Sequence, residues 1–364
     1  MRPTLADSIQ VLIPNLSPAL VSVPFAQRLI DMAESLPPIV NGLIECQLGA
    51  DNLQADISQH ILIDNREPDI LMRHIINSGL SDIPVWRRVH EFCLQWQEQS
   101  SLMHGVVDGI GFELDADACS RQPHLPSFFM RMKKDRHSAD EKQSALEEGL
   151  QILFGKTRPF PWQDVLHRCF EFREARLIYI GAMLARNEDA LRAEFIPQSA
   201  GSIIPLLKHI GWSWDESQLK ALIEWLIQLG ACINLLHVDL GSEILPKIGI
   251  SCLCGVGPEG RPDWPTLLDH LVEAGLCLPQ KRDGLLAWEG FADPTSSSIT
   301  WPPDIIVQSL MKPDLLSIFE RDISHIKILY QPGKPLAAKA YLRFGHRWLK
   351  PEECSMVIND VRQC

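Results

Sequence analysis

Lysine, tyrosine and arginine recur at every second position near the end of the chain. Lys339, Tyr341 and Arg343 lie in the stretch AKAYLRF, and Lys327 precedes them across a Pro-Gly turn. Alternate residues of a β-strand point to the same face of a sheet, so a strand here would present the three side chains together. Arginine chelates phosphate oxygens with two N–H groups, and lysine supplies a point charge. The spacing therefore predicts an anion-binding patch, with a solvated strand face as the alternative.

The same alternation of polar and apolar residues occurs in four earlier stretches that have the pattern of strand–turn–strand. These stretches span 42–63, 107–134, 176–197 and 233–254, and the last hairpin spans 323–345. Segments with helical spacing separate them, so the predicted unit is helix–strand–strand–helix, used about five times. One face of the predicted strands carries polar pairs: Glu45 and Gln47, Glu113 and Asp115, Arg131 and Lys133, Arg192 and Glu194, His237 and Asp239, and Lys247 and Ser251.

The polar strand faces fit two arrangements of the sheet. An open sheet would expose them to water, whereas a closed sheet would line a lumen with them and leave no free edge. Helices would cover the apolar faces in either case. We expect an α+β fold of five αββα repeats, in which a closed ten-stranded antiparallel β-barrel with a polar lumen is surrounded by an outer ring of helices. A two-domain α+β protein is the alternative.

The expected boundaries follow the repeats. Residues 1–22 are expected to form an N-terminal extension, residues 23–348 a single barrel domain, and residues 349–364 a C-terminal tail.

Composition excludes several classes of function. The 364 residues are 46% apolar and 22% charged, as in globular proteins, and the net charge of −12 argues against general nucleic-acid binding, which requires a basic face. The ten cysteines include no CxxC spacing and favour buried, reduced thiols in a cytoplasmic protein. Neither a signal peptide nor a membrane-spanning stretch is apparent, so no membrane partner is expected.

The predicted architecture resembles that of the αββα-barrel prenyltransferases, which transfer isoprenoid groups to aromatic acceptors. The resemblance covers residues 23–348. Lys339-Ala-Tyr341 looks like the Lys-x-Tyr pairs with which that family binds an allylic diphosphate. Glu113 in GFELD, or Glu45, is similar to the early carboxylate that orients the acceptor, and Arg131 in FFMRMK to an arginine of the next strand. The chain departs from the family in having three tyrosines, where the family shields its carbocation with several.

The resemblance implies roles for residues drawn from all five hairpins. Glu113 and His237 are the candidate catalytic groups, because a carboxylate can orient the acceptor and an imidazole can take a proton near neutral pH. The candidate diphosphate ligands are Arg131, Lys133, Arg192, Lys247, Lys327, Lys339, Tyr341 and Arg343. The candidate acceptor contacts are Glu45, Asp115, Tyr179 and Asp239. No metal ligands are assigned; Mg²⁺ could accompany the diphosphate, although no DDxxD-type cluster marks a site for it.

Two functions follow from this interpretation. The first is transfer of a prenyl group from an isoprenoid diphosphate to an aromatic small molecule or a peptide side chain. The alternative is a non-catalytic barrel that binds a peptide or a small ligand and has lost the transfer chemistry.

Overall fold

The computed structural model describes residues 3–63, 66–116, 124–134, 137–155, 160–186, 190–255, 262–294 and 301–350. Its strands are β1 (Gly42–Gln47), β2 (Ala55–Leu62), β3 (Val107–Leu114), β4 (Ser127–Met132), β5 (Ala175–Ala182), β6 (Leu191–Pro197), β7 (Cys232–Leu240), β8 (Ile244–Leu253), β9 (Gly290–Ala292), β10 (Leu316–Tyr330) and β11 (Ala337–Leu349). Its helices are α1 (Leu5–Leu12), α2 (Val23–Glu34), α3 (Glu67–Asn77), α4 (Pro84–Gln97), α5 (Leu102–Val106), α6 (Ala139–Phe154), α7 (Gln163–Glu171), α8 (Ile203–Ile210), α9 (Ser217–Gln228), α10 (Trp264–Glu273), α11 (Pro279–Leu286) and α12 (Pro303–Met311).

Ten strands close into one antiparallel barrel. Neighbouring strands follow the chain from β1 to β8, then β10 and β11, and β11 returns to pair with β1. The closing ladder aligns Gly42 with Phe344 and Glu45 with Tyr341. The predicted barrel is therefore confirmed, and the open sheet is excluded. The short strand β9 was not predicted; it pairs with Phe319–Arg321 at the outer part of β10.

The hydrophobic core lies between the outer face of the barrel and the helices. Alternate strand residues such as Phe112 and Phe128 are buried outward, where Phe128 packs edge-to-face against Phe92 of α4. The ring of Trp86, six residues earlier on α4, has its centroid 5.7 Å from that of Phe112. The period of two in the strands thus assigns one set of side chains to this core and leaves the other set for the lumen.

Helix ends are fixed by local sequence. Ser138 and Glu141 form a capping box at the start of α6, in which each side chain accepts from the other residue's backbone N–H. Helix α1 has the equivalent box from Thr4 and Asp7 and buries Leu5 and Ile9. Among the described helices, none combines the length and the apolar character that crossing a bilayer requires.

A β-bulge in β10 changes which residues face the lumen. The ladder between β10 and β11 shifts register between Ile323 and His325. Asp322 pairs with Arg343 before the shift, and His325 pairs with Tyr341 after it. Both residues line the lumen although they are three positions apart, so the bulge moves the inward face of β10 from even-numbered to odd-numbered residues. The hairpin then turns at Pro332-Gly333, where Gly333 has φ of 72°.

A buried lysine anchors the β1–β2 turn to the helical shell. Lys281 of α11 is 1% exposed, and its ammonium donates to the carbonyl oxygens of Gln47 and Asn52, each at 2.7 Å. Charged groups are rarely buried to this extent without such partners. Lys281 therefore holds the β1–β2 turn against α11.

Replacing Lys281 by methionine is expected to lower the free energy of unfolding by about 2–4 kcal/mol, because two buried carbonyls lose their donor. Urea denaturation measures the change. Lys220→Met is the matched control, since Lys220 is an exposed lysine of α9 that pairs with Glu216 just before the helix, and its loss should cost less than about 0.5 kcal/mol. Equal stability of the two variants would show that Lys281 does not anchor the turn.

Candidate active site

Three of the chambers that the described residues enclose in the lumen follow one another along the barrel axis. The rim chamber, about 540 Å³, lies at one end of the barrel and is lined by residues that include Asn41, Glu320, Asp322, Arg343 and Arg347. The central chamber, about 250 Å³, is lined by residues that include His60, Phe129, Tyr179, His237, His325 and Tyr341. The turn-end chamber, about 460 Å³, is lined by residues that include Gln47, Asn52, Gln54, Asp56 and Asp115.

A layer of charged residues separates the central chamber from the turn-end chamber. We call this layer the charge belt; it consists of Glu45, Asp56, Glu113, Arg192, Glu194, His237, Asp239, Lys247, Lys327 and Lys339. Its members come from β1, β2, β3, β6, β7, β8, β10 and β11, because each strand contributes one or two inward residues at the same height. Only closure of the sheet brings these strands around one space.

Two lysines of the last hairpin meet in the belt. Lys327 and Lys339 are directly paired across β10 and β11. Lys339 contacts the Glu45 carboxylate and lies 3.9 Å from Asp56. Lys327 is 7% exposed, and its ammonium donates to the Tyr341 hydroxyl at 2.7 Å. The lysines therefore differ: Lys339 is neutralised by carboxylates, whereas the hydrogen bond of Lys327 is to a neutral phenol.

Three carboxylates lie close together beside Lys339. Oxygen atoms of Glu45, Asp56 and Glu113 all lie within 4.8 Å of one another. Burial would raise the pKa of Glu45, but the ammonium groups of Lys339 and Lys327 hold it well below its usual value. Burial and the Glu45 charge raise the pKa of Asp56 to about 7 and that of Glu113 to about 8. Glu113 is therefore mostly protonated at neutral pH.

The same cluster does not fit a resident Mg²⁺ ion. Magnesium binds carboxylate oxygens in an octahedral shell with several waters. Here the Lys339 ammonium already supplies the positive charge at Glu45 and Asp56. These carboxylates therefore form a network with an ammonium group instead of a set of Mg²⁺ ligands.

A histidine and a carboxylate form a proton-accepting pair on the opposite wall. His237 Nδ1 lies 3.1 Å from Glu194, and Nε2 lies 2.8 Å from the Ser251 hydroxyl. Burial and the Lys327 charge lower the pKa of His237, so its ring is neutral at pH 7. Although burial opposes ionisation of Glu194, His237 and Lys327 lower the pKa of that carboxyl to about 2. The wall thus presents a neutral imidazole beside an ionised carboxylate.

Arg192 and Asp239 form a further strong contact of the belt. Nε and Nη2 of Arg192 reach the two carboxylate oxygens at 2.8 and 3.3 Å, and both side chains are mostly buried, with exposures of 11% and 20%. The cross-strand register of β6 and β7 places the two residues opposite each other. This two-point contact fixes one side of the lumen.

Aromatic rings line the central chamber above the belt. The His325 and Tyr341 rings stack at 4.1 Å, and His60 lies 5.9 Å from Tyr179. Phe129 lies over Gly181, where an added Cβ would come within 2.4 Å of its ring. Burial and the Lys327 charge lower the pKa of His325 to about 3, so this ring is neutral as well. The chamber is therefore an aromatic box with charges on one side.

The structure brings most of the predicted site residues into the lumen. Glu45, Glu113, Arg192, His237, Asp239, Lys247, Lys327 and Lys339 lie in the belt, Tyr179 and Tyr341 line the central chamber, and Asp115 lies in the turn-end chamber. Arg131 and Arg343 lie in the rim chamber, where they pair with Asp108 at 2.6 Å and with Asp322 at 2.8 Å. Lys133 lies beyond the end of β4 and donates to the carbonyl of His104, so it is not brought to the other cations.

Several site residues were missed or left without a role. Asp56, Ser58 and His60 occupy alternate positions of ADISQHIL. The same polar–apolar alternation identified inward residues on the other strands and could have identified Asp56 and His60. Glu194 and Ser251 were placed on polar faces, but their contacts with His237 depend on strand pairing. The inward position of His325 depends on the bulge in β10, which the sequence pattern did not indicate.

Comparison with known proteins identifies the fold. No protein-family model and no curated protein matches the chain. Among solved structures, it superposes on the prenyltransferase PriB in its apo form with a TM-score of 0.52 and 11% identity, over 93% of this chain and 94% of that one. On AnaPT from Neosartorya fischeri it superposes with a TM-score of 0.50 and 12% identity, over 94% of this chain and 92% of that one. On 5-dimethylallyl tryptophan synthase from Streptomyces coelicolor, in complex with DMASPP and Trp, the TM-score is 0.52 and the identity 9%, over 94% of this chain and 95% of that one.

These likenesses extend over nearly the whole length of both partners and agree with the closed barrel of ten antiparallel strands. The chain has the αββα-barrel fold of the aromatic prenyltransferases.

Proposed function

We propose that this protein transfers a prenyl group from an allylic diphosphate to an aromatic acceptor inside the lumen. The observation that carries the proposal is the central chamber, in which aromatic walls meet the buried ammonium of Lys327, with the other cations of the belt on the same side. Ionising an allylic diphosphate requires both features: cations for the leaving group and a water-poor, electron-rich wall for the carbocation. The fold likeness to prenyltransferases supports the same reaction class.

The donor would bind with its diphosphate on the belt and its prenyl chain in the central chamber. Lys327 is the best-placed ligand, because its ammonium is buried and its hydrogen bond is to the neutral Tyr341. Lys339 and Arg192 supply further positive charge. Cleavage of the C–O bond leaves its electron pair on the diphosphate, where these cations stabilise it. The allyl cation then lies among Tyr341, Tyr179 and Phe129, whose π-faces attract a positive charge.

The acceptor would attack the allyl cation with a ring carbon, and the resulting arenium ion must lose a proton. His237 is the proposed base, because its imidazole is neutral at pH 7 and the ionised Glu194 stabilises the imidazolium that forms. Glu113 is proposed to orient the acceptor as a protonated carboxyl group, donating one hydrogen bond and accepting another. The acceptor contacts proposed for Glu45, Asp115, Tyr179 and Asp239 place its polar end near the belt.

Replacing Lys327 by methionine is expected to weaken binding of dimethylallyl thiodiphosphate by about 10–150-fold, equivalent to about 1.5–3 kcal/mol for a charge-assisted hydrogen bond. Titration calorimetry measures the affinity, and thermal unfolding checks the fold. The unreactive thiodiphosphate separates donor binding from chemistry.

The matched control is Arg347→Met, which removes a cation from the rim chamber that pairs with Glu320. Its donor affinity should stay within about threefold of wild type, because a solvated surface pair contributes little. Equal donor affinities for wild type and Lys327→Met would contradict the placement of diphosphate on the belt. Absence of both donor binding and product formation in the wild type would reject prenyl transfer.

A second candidate function is ligand binding without catalysis. The observation that favours it is that Lys339, Arg192, Arg131 and Arg343 each contact a carboxylate of the barrel, so part of the positive charge is already neutralised. Such a barrel would hold a neutral or cationic small molecule, or a peptide side chain. A wild-type protein that binds an indole or phenol but no thiodiphosphate would support this function over the first.

A further inference from the structure

We propose that Glu45 competes with the anionic donor for Lys339 and thereby determines how tightly the lumen binds diphosphate. The inference rests on the proposed function, since it concerns the donor site of that reaction. It assigns to Glu45 a role in donor affinity, in addition to the acceptor contact proposed for it.

The contacts of Glu45 place an internal anion where an external one would bind. Its carboxylate is 8% exposed and touches the Lys339 ammonium. It lies on β1 directly opposite Tyr341, whose hydroxyl accepts from Lys327. Glu45 therefore stands beside both lysines of the last hairpin. A diphosphate that approaches Lys339 must displace this carboxylate or lie against it.

The groups around Glu45 make binding of a diphosphate beside it unfavourable unless some of the neighbouring carboxylates are protonated. Among the described residues, the charged and titratable groups that lie around it in the lumen are Lys339 and Tyr341 from β11, Lys327 and His325 from β10, Lys247 from β8, His237 and Asp239 from β7, Arg192 from β6, Glu113 and Asp115 from β3, and Asp56 from β2. The belt has four cations, Arg192, Lys247, Lys327 and Lys339, and five carboxyl groups, Glu45, Asp56, Glu113, Glu194 and Asp239, so its negative charges outnumber its positive ones once Asp56 and Glu113 are ionised. Adding a polyanion to this layer creates like-charge contacts, which are strongly unfavourable when buried.

Proton uptake would relieve the repulsion. Asp56 and Glu113 share the cluster with Glu45, and their pKa values are raised to about 7 and about 8. A carboxyl group with a raised pKa is protonated below that pH and ionised above it, so the cluster becomes more negative between pH 6 and pH 8.5. Donor binding should accordingly take up protons and weaken as the pH rises through this window.

The test compares dimethylallyl thiodiphosphate affinity in wild type and Glu45→Gln by titration calorimetry at pH 6.0 and pH 8.5. The amide keeps the shape of the side chain and removes its charge. At pH 8.5 the variant should bind the donor about tenfold more tightly than wild type, and its affinity should depend less on pH. Repeating the wild-type titration in two buffers with different ionisation enthalpies counts the protons taken up, so the proposal stays testable if the variant folds poorly.

Asp322→Asn is the matched control. It removes one carboxylate of the same lumen, but that carboxylate pairs with Arg343 in the rim chamber. The Arg343 side chain is 65% exposed. Its donor affinity and pH dependence should match wild type within about threefold, because the pair is solvated. This variant also corrects for titration of the thiodiphosphate itself, which is common to all the proteins.

The outcomes separate this inference from the proposed function. Tighter binding by Glu45→Gln together with proton uptake in wild type supports both. Donor binding that is equal in wild type and Glu45→Gln, with no proton uptake, overturns the competition and leaves prenyl transfer intact. Failure of every variant to bind thiodiphosphate, with all of them folded, overturns the proposed function itself.

Discussion

Turnover is expected to fall on the order of 10²–10⁴-fold when His237 is replaced by glutamine, while donor affinity stays within about threefold of wild type. The imidazole is the neutral base that the central chamber offers beside an ionised carboxylate, and glutamine cannot take a proton from the arenium ion. The substitution removes no charge at pH 7, so the belt should hold diphosphate as before. Single-turnover rates with a saturating donor, combined with calorimetry on the thiodiphosphate, separate the two effects.

Glu113→Gln is the control for that experiment. Because burial and the Glu45 charge raise the pKa of Glu113 to about 8, both the carboxyl and the amide can donate and accept a hydrogen bond at pH 7. Its rate at pH 7 should therefore fall much less than that of His237→Gln. Above pH 8 the wild-type rate should fall, because ionised Glu113 no longer donates its hydrogen bond to the acceptor. The variant should lack this fall, since its amide does not ionise. If Glu113→Gln lowers the rate at pH 7 more than His237→Gln does, Glu113 would be the base and His237 the group that orients the acceptor.

Arg192→Leu should lower the free energy of unfolding by about 2–4 kcal/mol. Removal of one partner of a buried ion pair typically costs 3–5 kcal/mol, and the 20% exposure of Asp239 reduces that figure. The substitution leaves three carboxylates of the belt, Asp239, Glu113 and Glu194, with less positive charge nearby. Urea denaturation monitored by tryptophan fluorescence measures the loss.

The double variant Arg192→Leu/Asp239→Leu tests the cause. If the cost arises from an uncompensated buried charge, the double variant should recover about half of the loss or more, since apolar residues can replace a buried pair with little net cost. Strictly additive losses for the two single variants would instead mean that the two side chains stabilise the barrel independently.

The five hairpins were predictable because each strand buries only one of its faces. Period-two alternation located β1 to β8 and β11 to within a few residues, and helical spacing located most of the shell between them. The start of β10 was placed too late, because the strand begins at Leu316, seven residues before the predicted hairpin. The same signal does not extend to three-residue strands, so β9 was missed. It also overran the end of β4: Lys133 shares the parity of Arg131, but the strand ends at Met132 and the Lys133 side chain turns to His104.

Candidate site residues were predictable by type but not by partner. An inward polar residue on a strand can be identified from alternation alone, as Glu45, Arg192 and Lys339 were. Its partners depend on which strand lies beside it and at what register. Glu45 and Lys339 are 294 positions apart along the chain and touch only because β11 closes the barrel against β1.

The sequence by itself determined that this protein has αββα repeats with polar strand faces, because local alternation reports which side of a strand meets apolar neighbours. The tertiary structure decided what those faces meet. Barrel closure turned separate hairpins into a lumen, the bulge in β10 turned His325 inward, and strand register paired cations with carboxylates. Such electrostatic pairing depends on distances of a few ångströms between residues far apart in the chain, and no local pattern encodes those distances.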